Sequence, residues 1–330
     1  MLRAPTLRSL HYRHDTIDLP TQFHHLAYLR VSSSWSHHGL VDSQHAIEIL
    51  LRCSHSLRFC ALDMRVPREV QIQNGLTIEL PHLEHLTIRF KGAGFADNMS
   101  LFLGSLLTPK LRELALYVLE PRVNSRQPFN EVSLSFLPLF LQRSQCDTTL
   151  RSLSLFIPVD GDIVISWLRV LPALTTLRLV SDVFPLGSTY AYDRGQSPDL
   201  ESVYTVTRRF LEALTLTDEI LCPDLKHIEF KDCDPRLVDA FLAFAETRER
   251  TLRKCYVDCW RPLPLPEEEL SRKLRVLREG GMDIVWRSQP APEFIGRVMQ
   301  DGPRDGLEDI VGEEFLFPYL EDRSRLTTLY

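Results

Sequence analysis

Nine times along the chain, three apolar residues recur as apolar-x-x-apolar-x-apolar. In "LPHLEHLTIRF" they are Leu83, Leu86 and Ile88. The other copies are Leu7, Leu10 and Tyr12; Leu26, Leu29 and Val31; Leu57, Cys60 and Leu62; Leu111, Leu114 and Leu116; Leu150, Leu153 and Leu155; Leu174, Leu177 and Leu179; Leu225, Ile228 and Phe230; and Leu252, Cys255 and Val257. A helix wants spacings of three and four, and a plain strand wants two throughout. The last two positions alternate as a half-buried strand does. The first enters the same core from the turn ahead of that strand.

The copies start 19 to 51 residues apart, and five of the eight gaps lie between 24 and 31. That is close to the period of leucine-rich repeats. The 51-residue gap leaves room for a degenerate copy near "DLESVYTV". Helical patterns lie between the motifs. "SQHAIEILLRC" places Ala46, Ile47, Leu50 and Leu51 on one face, and "NMSLFLGSLL" follows Asn98 as its cap. "SLSFLPLFLQR" offers Phe136, Leu137, Phe140 and Leu141, and "DGDIVISWLRVL" follows an Asp cap at 160 or 162. "DPRLVDAFLAF" has Asp234 as cap, Pro235 at the first helical position, then Leu237, Phe241 and Phe244. "PEEELSRKLRVLREGG" is acidic first and basic last, with Gly280 and Gly281 at its exit, and "MDIVW" reads as a closing strand.

Strand and helix alternating over the full length imply parallel strands with helical crossovers. A repeat overrides the two-domain prior for a 330-residue chain, because each unit buries its apolar side only against its neighbours. The expected fold is an α/β leucine-rich-repeat solenoid over 1–287, a horseshoe with strands on the concave face and helices on the convex one. Pro5, Pro81, Pro109, Pro172 and Pro223 precede motifs, where they end the preceding helix and extend the chain. Leucine-rich repeats often place Asn or Cys three residues past the motif. Here that position holds Asp15, Ser34, Arg65, Lys91, Leu119, Pro158, Asp182, Cys233 and Trp260, so the turns are expected to be held differently from one repeat to the next.

The cadence of "LRVLPALTTLRL" and the ending "LSRKLRVLREGGMDI" resemble the repeat region of fungal F-box/leucine-rich-repeat proteins, over residues 4–287. The resemblance implies a substrate receptor: repeats that hold a substrate, and an F-box that docks on the adaptor of a cullin (SCF-type) ubiquitin ligase. The first motif lies almost at Met1 with no F-box pattern ahead of it, so the adaptor is a partner only if an F-box is restored. "LPEEELSRKLRVL" at 265–277 copies an F-box opening but reads as the final solenoid helix. Three origins stay open: a truncated gene model, a diverged paralogue, or a free-standing repeat protein that binds one partner as scaffold or inhibitor.

No enzyme chemistry is legible. "KGAGFAD" lacks phosphate-loop spacing, and no G-x-S-x-G turn occurs. Cys53/Cys60 and Cys255/Cys259 lack the spacing of zinc ligands, and Cys60 and Cys255 fill inward strand positions. The "HH" pairs put neighbouring rings on opposite faces, and "DCD" at 232–234 is better explained by Asp234 as a helix cap. No cofactor or metal is expected. Net charge of −6 without a basic stripe argues against nucleic acid. No apolar run is long enough for a membrane span, and the N-terminus has no signal-peptide run. Seven irregularly spaced cysteines point to a reducing compartment, cytoplasmic or nuclear.

What remains is a surface. The x positions beside the inward residues should leave the concave sheet: Tyr28 and Arg30; Phe59, Ala61 and Asp63; His85, Thr87 and Arg89; Glu113, Ala115 and Tyr117; Ser152, Ser154 and Phe156; Thr176, Arg178 and Val180; His227, Glu229 and Lys231; Lys254, Tyr256 and Asp258. Aromatics and Arg dominate protein interfaces, and exposed Phe59, Tyr117 and Phe156 would serve no core. The mixed charges favour a protein or peptide partner; the bland alternative is a sheet face that tolerates mixed residues. The segments 120–132 and 183–199 are longer than turns require. The acidic tail, 288–330, reads as a disordered tail, a C-terminal cap burying Phe315, Phe317 and Tyr319, or a short partner motif.

Overall fold

Every motif becomes a strand, and "MDIVW" adds another. The computed structural model describes residues 7–12, 25–31, 41–65, 76–91, 95–119, 136–157, 159–180, 205–215, 220–231, 233–259 and 267–288. The order begins β1 (Ser9–Tyr12), β2 (Tyr28–Val31), β3 (Val41–Asp42), α1 (Ser43–Cys53), β4 (Phe59–Arg65), β5 (Ile78–Glu79) and β6 (His85–Lys91). It continues α2 (Phe95–Gly104), β7 (Leu106–Leu107), β8 (Glu113–Leu119), α3 (Phe136–Ser144), β9 (Ser152–Phe156), α4 (Gly161–Arg169), β10 (Thr176–Val180) and α5 (Arg208–Thr215). It ends β11 (His227–Lys231), a 3₁₀ turn (Pro235–Leu237), α6 (Val238–Thr247), β12 (Lys254–Cys259), α7 (Glu267–Glu279) and β13 (Asp283–Ser288).

The main sheet runs β1-β2-β4-β6-β8-β9-β10-β11-β12-β13, every pair parallel, with β3 beside the far end of β4. A second small sheet pairs β5 with β7. The register joins equivalent positions without a slip: Leu29, Cys60, Leu86, Leu114, Leu153, Leu177, Ile228, Cys255 and Ile284 form one line across the sheet. Such alignment is required, because a one-residue slip would turn a whole strand's leucines to the other face.

The first motif position forms a second line. Leu26, Leu57, Leu83, Leu111, Leu150, Leu174, Leu225, Leu252 and Met282 are each 2% exposed or less. These rows and the inner faces of the helices make one contiguous core. Each buried Leu contributes about 2 kcal/mol of transfer free energy. Where the third row carries rings in place of Leu, contacts run Phe210 (α5) to Phe230 (β11) to Phe241 (α6) to Trp286 (β13), with centroids 6.1, 6.5 and 5.2 Å apart. The protein is an α/β solenoid of leucine-rich type, with sheet and helices on opposite sides of a shared interior.

The turns before the strands are held by main chain in one uniform way. One carbonyl per repeat accepts two N–H groups from the next. Arg58 O takes Glu84 N and His85 N, Glu84 O takes Arg112 N and Glu113 N, and Arg112 O takes Arg151 N and Ser152 N, all at 2.7–3.0 Å. The series continues through Arg151, Thr175 and Lys226 to Arg253. Of the positions three residues past the motif, Asp15, Ser34, Pro158, Asp182 and Trp260 lie outside the described residues. The prolines prove to be turn residues more than helix terminators. Pro81, Pro109, Pro172 and Pro223 each sit second in a four-residue turn, closed by the N–H of Leu83, Leu111, Leu174 or Leu225 on the carbonyl three residues back. Proline's fixed φ pre-sets that position.

Other local expectations divide. Asp160 caps α4, its Oδ1 accepting from Asp162 N at 2.7 Å. Asp234 caps the 3₁₀ turn ahead of α6, accepting from Arg236 N at 2.9 Å with Pro235 at the first position. At the end of α7, Gly281 (φ 93°) lets Met282 N reach Leu277 O at 3.1 Å and Gly281 N reach Arg278 O at 2.9 Å. Asn98 is not a cap: α2 begins at Phe95, and Asn98 lies a turn inside, 2% exposed. Leu51 is 47% exposed; α1 turns Ala46, Ile49, Leu50 and Cys53 inward, the true i, i+3, i+4, i+7 stripe. The 51-residue gap adds no strand to the sheet, because β10 pairs directly with β11. The segments 120–132 and 183–199, and the tail beyond Ser288, lie outside the described residues.

Candidate protein-binding face

Strand side chains alternate, so the register that buries the leucines also fixes what the other face displays. Three rows cross it. The first runs Tyr28, Phe59, His85, Glu113, Ser152, Thr176, His227, Lys254 and Asp283. The second runs Arg30, Ala61, Thr87, Ala115, Ser154, Arg178, Glu229, Tyr256 and Val285. The third joins Asp63, Arg89, Tyr117 and Phe156, then resumes with Val180 beside Lys231 and Asp258 beside Arg287. A single depression of about 970 Å³ is lined from Phe59 on β4 across to Val285 on β13. One hollow shared by eight strands means that this sheet face is concave. All the residues singled out from the sequence for this face lie in these rows.

The aromatics are partly spent on one another. Phe59 stacks on His85 with centroids 4.3 Å apart and planes 11° from parallel, and Tyr28 leans on Phe59 at 6.2 Å. Tyr117 stacks on Phe156 at 4.4 Å and 9°. Burial pushes the Tyr117 hydroxyl up to about 12, against the pull of Arg178 and Arg89. These rings are half-buried, not the freely exposed side chains expected of residues without a core.

Charges are paired along the same rows. His85 Nδ1 lies 3.0 Å from Glu113 Oε2, and Arg178 Nε lies 3.4 Å from Glu229 Oε2. Lys231 Nζ shares Glu229 at 3.5 Å and sits 6.0 Å over the Phe156 ring. Arg287 covers Tyr256 at 5.4 Å. Burial raises Asp258, with Lys231 and Arg287 opposing. Asp63 departs from the expectation of a contact residue. It is 6% exposed and lies 2.8 Å from Arg89 Nε, its register partner on the next strand. Ala61 and Ser154 are buried as well.

Two groups on this side were not anticipated. Strand β13 adds Asp283, Val285 and Arg287 to the rows. The carbonyl-ladder residues also carry side chains that crown the N-terminal rim of the strands: Arg58, Glu84, Arg112, Arg151, Thr175, Lys226 and Arg253. The signal was legible, since Arg or Lys directly follows the first motif leucine in six of the nine copies.

Among the described residues, no group of three His, Cys, Asp or Glu could hold a metal ion, and no helix is long and apolar enough to cross a membrane. The seven cysteines are buried free thiols. Burial raises Cys53, Cys146 and Cys222 to about 12 and drives Cys60 and Cys255 further still, which makes them poor nucleophiles. The face offers paired charges, stacked rings and a hollow.

No protein-family model matches the sequence, and no curated protein matches it. Among solved structures, a TLR13–ssRNA13 complex is similar at 12% identity and a TM-score of 0.35, over 76% of this chain and 32% of that one. The chain thus spans about a third of that protein's length.

Proposed function

We propose that this protein is a non-catalytic interaction module that holds one protein partner against its concave sheet face. The observation that carries this reading is the 970 Å³ hollow running from β4 to β13, lined by Tyr, Arg and paired charges. Repeat solenoids use such continuous concave surfaces for binding. Cross-linking mass spectrometry on a captured partner tests it. Cross-links should gather on the three rows, and partner binding should fall on Tyr117→Ala or Phe156→Ala with Tm monitored. Cross-links confined to α1–α7 on the opposite side would overturn it.

The resemblance of "LRVLPALTTLRL" and "LSRKLRVLREGGMDI" to F-box/leucine-rich-repeat proteins supports a finer reading: the solenoid is the substrate-binding part of a cullin ubiquitin ligase receptor. A pull-down with the upstream coding region included tests that part. Co-purification of the cullin adaptor is expected. A partner that co-purifies without adaptor would replace this reading with that of a free-standing scaffold or inhibitor.

A further inference from the structure

Along the N-terminal rim the carbonyl ladder sets one residue per strand. Arg151 N bonds Arg112 O at 2.7 Å, Thr175 N bonds Arg151 O at 2.8 Å, Lys226 N bonds Thr175 O at 2.8 Å and Arg253 N bonds Lys226 O at 2.7 Å. Parallel strands lie about 4.8 Å apart, so Arg112 and Arg253 stand roughly 19 Å apart with two further cations between them. Lys254 joins them from the first row, in register with His227. All five are exposed. Among the described residues, Arg112, Lys226, Arg253 and Lys254 have no carboxylate within ion-pair distance. Arg151 gives one N–H to Ala173 O at 2.8 Å and keeps the rest of its fork.

Like charges on neighbouring strands repel. Here they concentrate on one rim of a chain whose net charge is −6. Their field is felt locally: His227 is held below its ordinary pKa first by burial, then by Lys254, Arg178 and Lys226. The run is also bounded. On one side stands Glu84, bonded to Arg58 at 2.7 Å, and on the other Asp283, in register with Lys254.

We propose that this rim recognises an extended acidic segment of a protein partner, whose Asp and Glu carboxylates lie along Arg112, Arg151, Lys226, Arg253 and Lys254. The inference rests on the concave face being a protein-binding surface, and it names the chemistry of the partner there. Bidentate arginines suit carboxylates. About six extended residues span the row at ~3.3 Å each, and the flanking Glu84 and Asp283 repel a segment that overruns it. A single-stranded nucleic acid is disfavoured, because it needs free aromatic faces to stack its bases. Phe59 is stacked on His85 and Tyr117 on Phe156.

The test uses the full chain and fluorescein-labelled peptides of about 12 residues, one rich in Asp and Glu and one with Asn and Gln in their place. A single-stranded RNA of similar contour length is the third probe. Expected is saturable binding of the acidic peptide that weakens with added salt, about tenfold or more on Lys226→Glu/Arg253→Glu at unchanged Tm, and not on Lys273→Glu of α7. Equal binding of acidic and amide peptides, an unchanged affinity in the double variant, or tighter binding of the RNA would each overturn it. A captured partner lost on Tyr117→Ala or Phe156→Ala but kept by Lys226→Glu/Arg253→Glu removes this inference alone. A partner kept by every one of these variants removes the concave-face reading as well.

Discussion

Tyr117 and Phe156 lie on the adjacent strands β8 and β9 with ring centroids 4.4 Å apart and planes 9° from parallel. The cross-strand register that brings Leu116 beside Leu155 inside the core brings these two rings together outside it. A stacked pair of this kind contributes about 1 kcal/mol beyond its buried area. In urea unfolding, a double-mutant cycle of Tyr117→Ala and Phe156→Ala should give a coupling of about 0.5–1.5 kcal/mol. Additive losses would mean that the rings do not sense each other.

Arg248 is 6% exposed, and the acceptors of its guanidinium are main-chain carbonyls. Its guanidinium donates to Leu214 O at 2.9 and 3.2 Å, Leu221 O at 2.8 Å and Cys222 O at 3.5 Å. Leu214 lies in the last turn of α5, where carbonyls lack helical partners and the dipole favours a cation. Arg248→Met should therefore cost about 2–4 kcal/mol, since several buried oxygens lose their donor. Arg248→Lys should recover only part, because one ammonium cannot reach all three carbonyls. Equilibrium unfolding checks both.

Two glycines should respond with opposite signs. A Cβ on Gly161 would sit 2.6 Å from Thr205 O, in a segment pinned by the Thr205 hydroxyl on Val159 O at 2.7 Å. Gly161→Ala should destabilise by about 1–3 kcal/mol. At Gly104 an added Cβ meets nothing within 4 Å, so Gly104→Ala should be neutral or stabilise by up to about 1 kcal/mol. Thermal melts of the two variants against wild type settle the signs.

Alkaline pH should unfold the protein through its thiols. The folded state holds the Cys53, Cys146 and Cys222 protons up to about 12, against an ordinary 9.0. Between those values the native state binds more protons than the unfolded one, so stability is full below pH 9 and falls as pH rises towards 12. Each thiol adds a slope of up to about 1.4 kcal/mol per pH unit within that window. Urea midpoints from pH 8 to 11 under reductant should decline, and Cys146→Ala should flatten the decline.

The inward rows are readable in the sequence, because apolar identity at three spaced positions leaves one way to bury Leu83, Leu86 and Ile88 together. The outward rows followed from alternation alone. What pattern could not supply was depth. Asp63 and Arg89 are both x-position charges in register on adjacent strands, yet Asp63 is buried at 6% exposure beside the Arg89 guanidinium 2.8 Å away. Leu51 satisfies a helical count and still faces out, since α1 is rotated to bury Ile49 and Cys53. Arg248 reads as a surface residue until the chain places three carbonyls around it. The rim cations stand in plain view as "LR" and "LK", but only the backbone ladder shows that they form a row.

Hydrogen exchange at the ladder amides is the most direct probe of the whole account, since those amides exist as a set only if the repeats stack in one line. The N–H groups of Arg112, Arg151, Lys226 and Arg253 should be protected together with the strand amides of β6 to β12, with protection falling towards β1. Rapid exchange at these four amides, or protection divided into separately opening blocks within β6 to β12, would contradict a single stacked solenoid and the continuous face built on it.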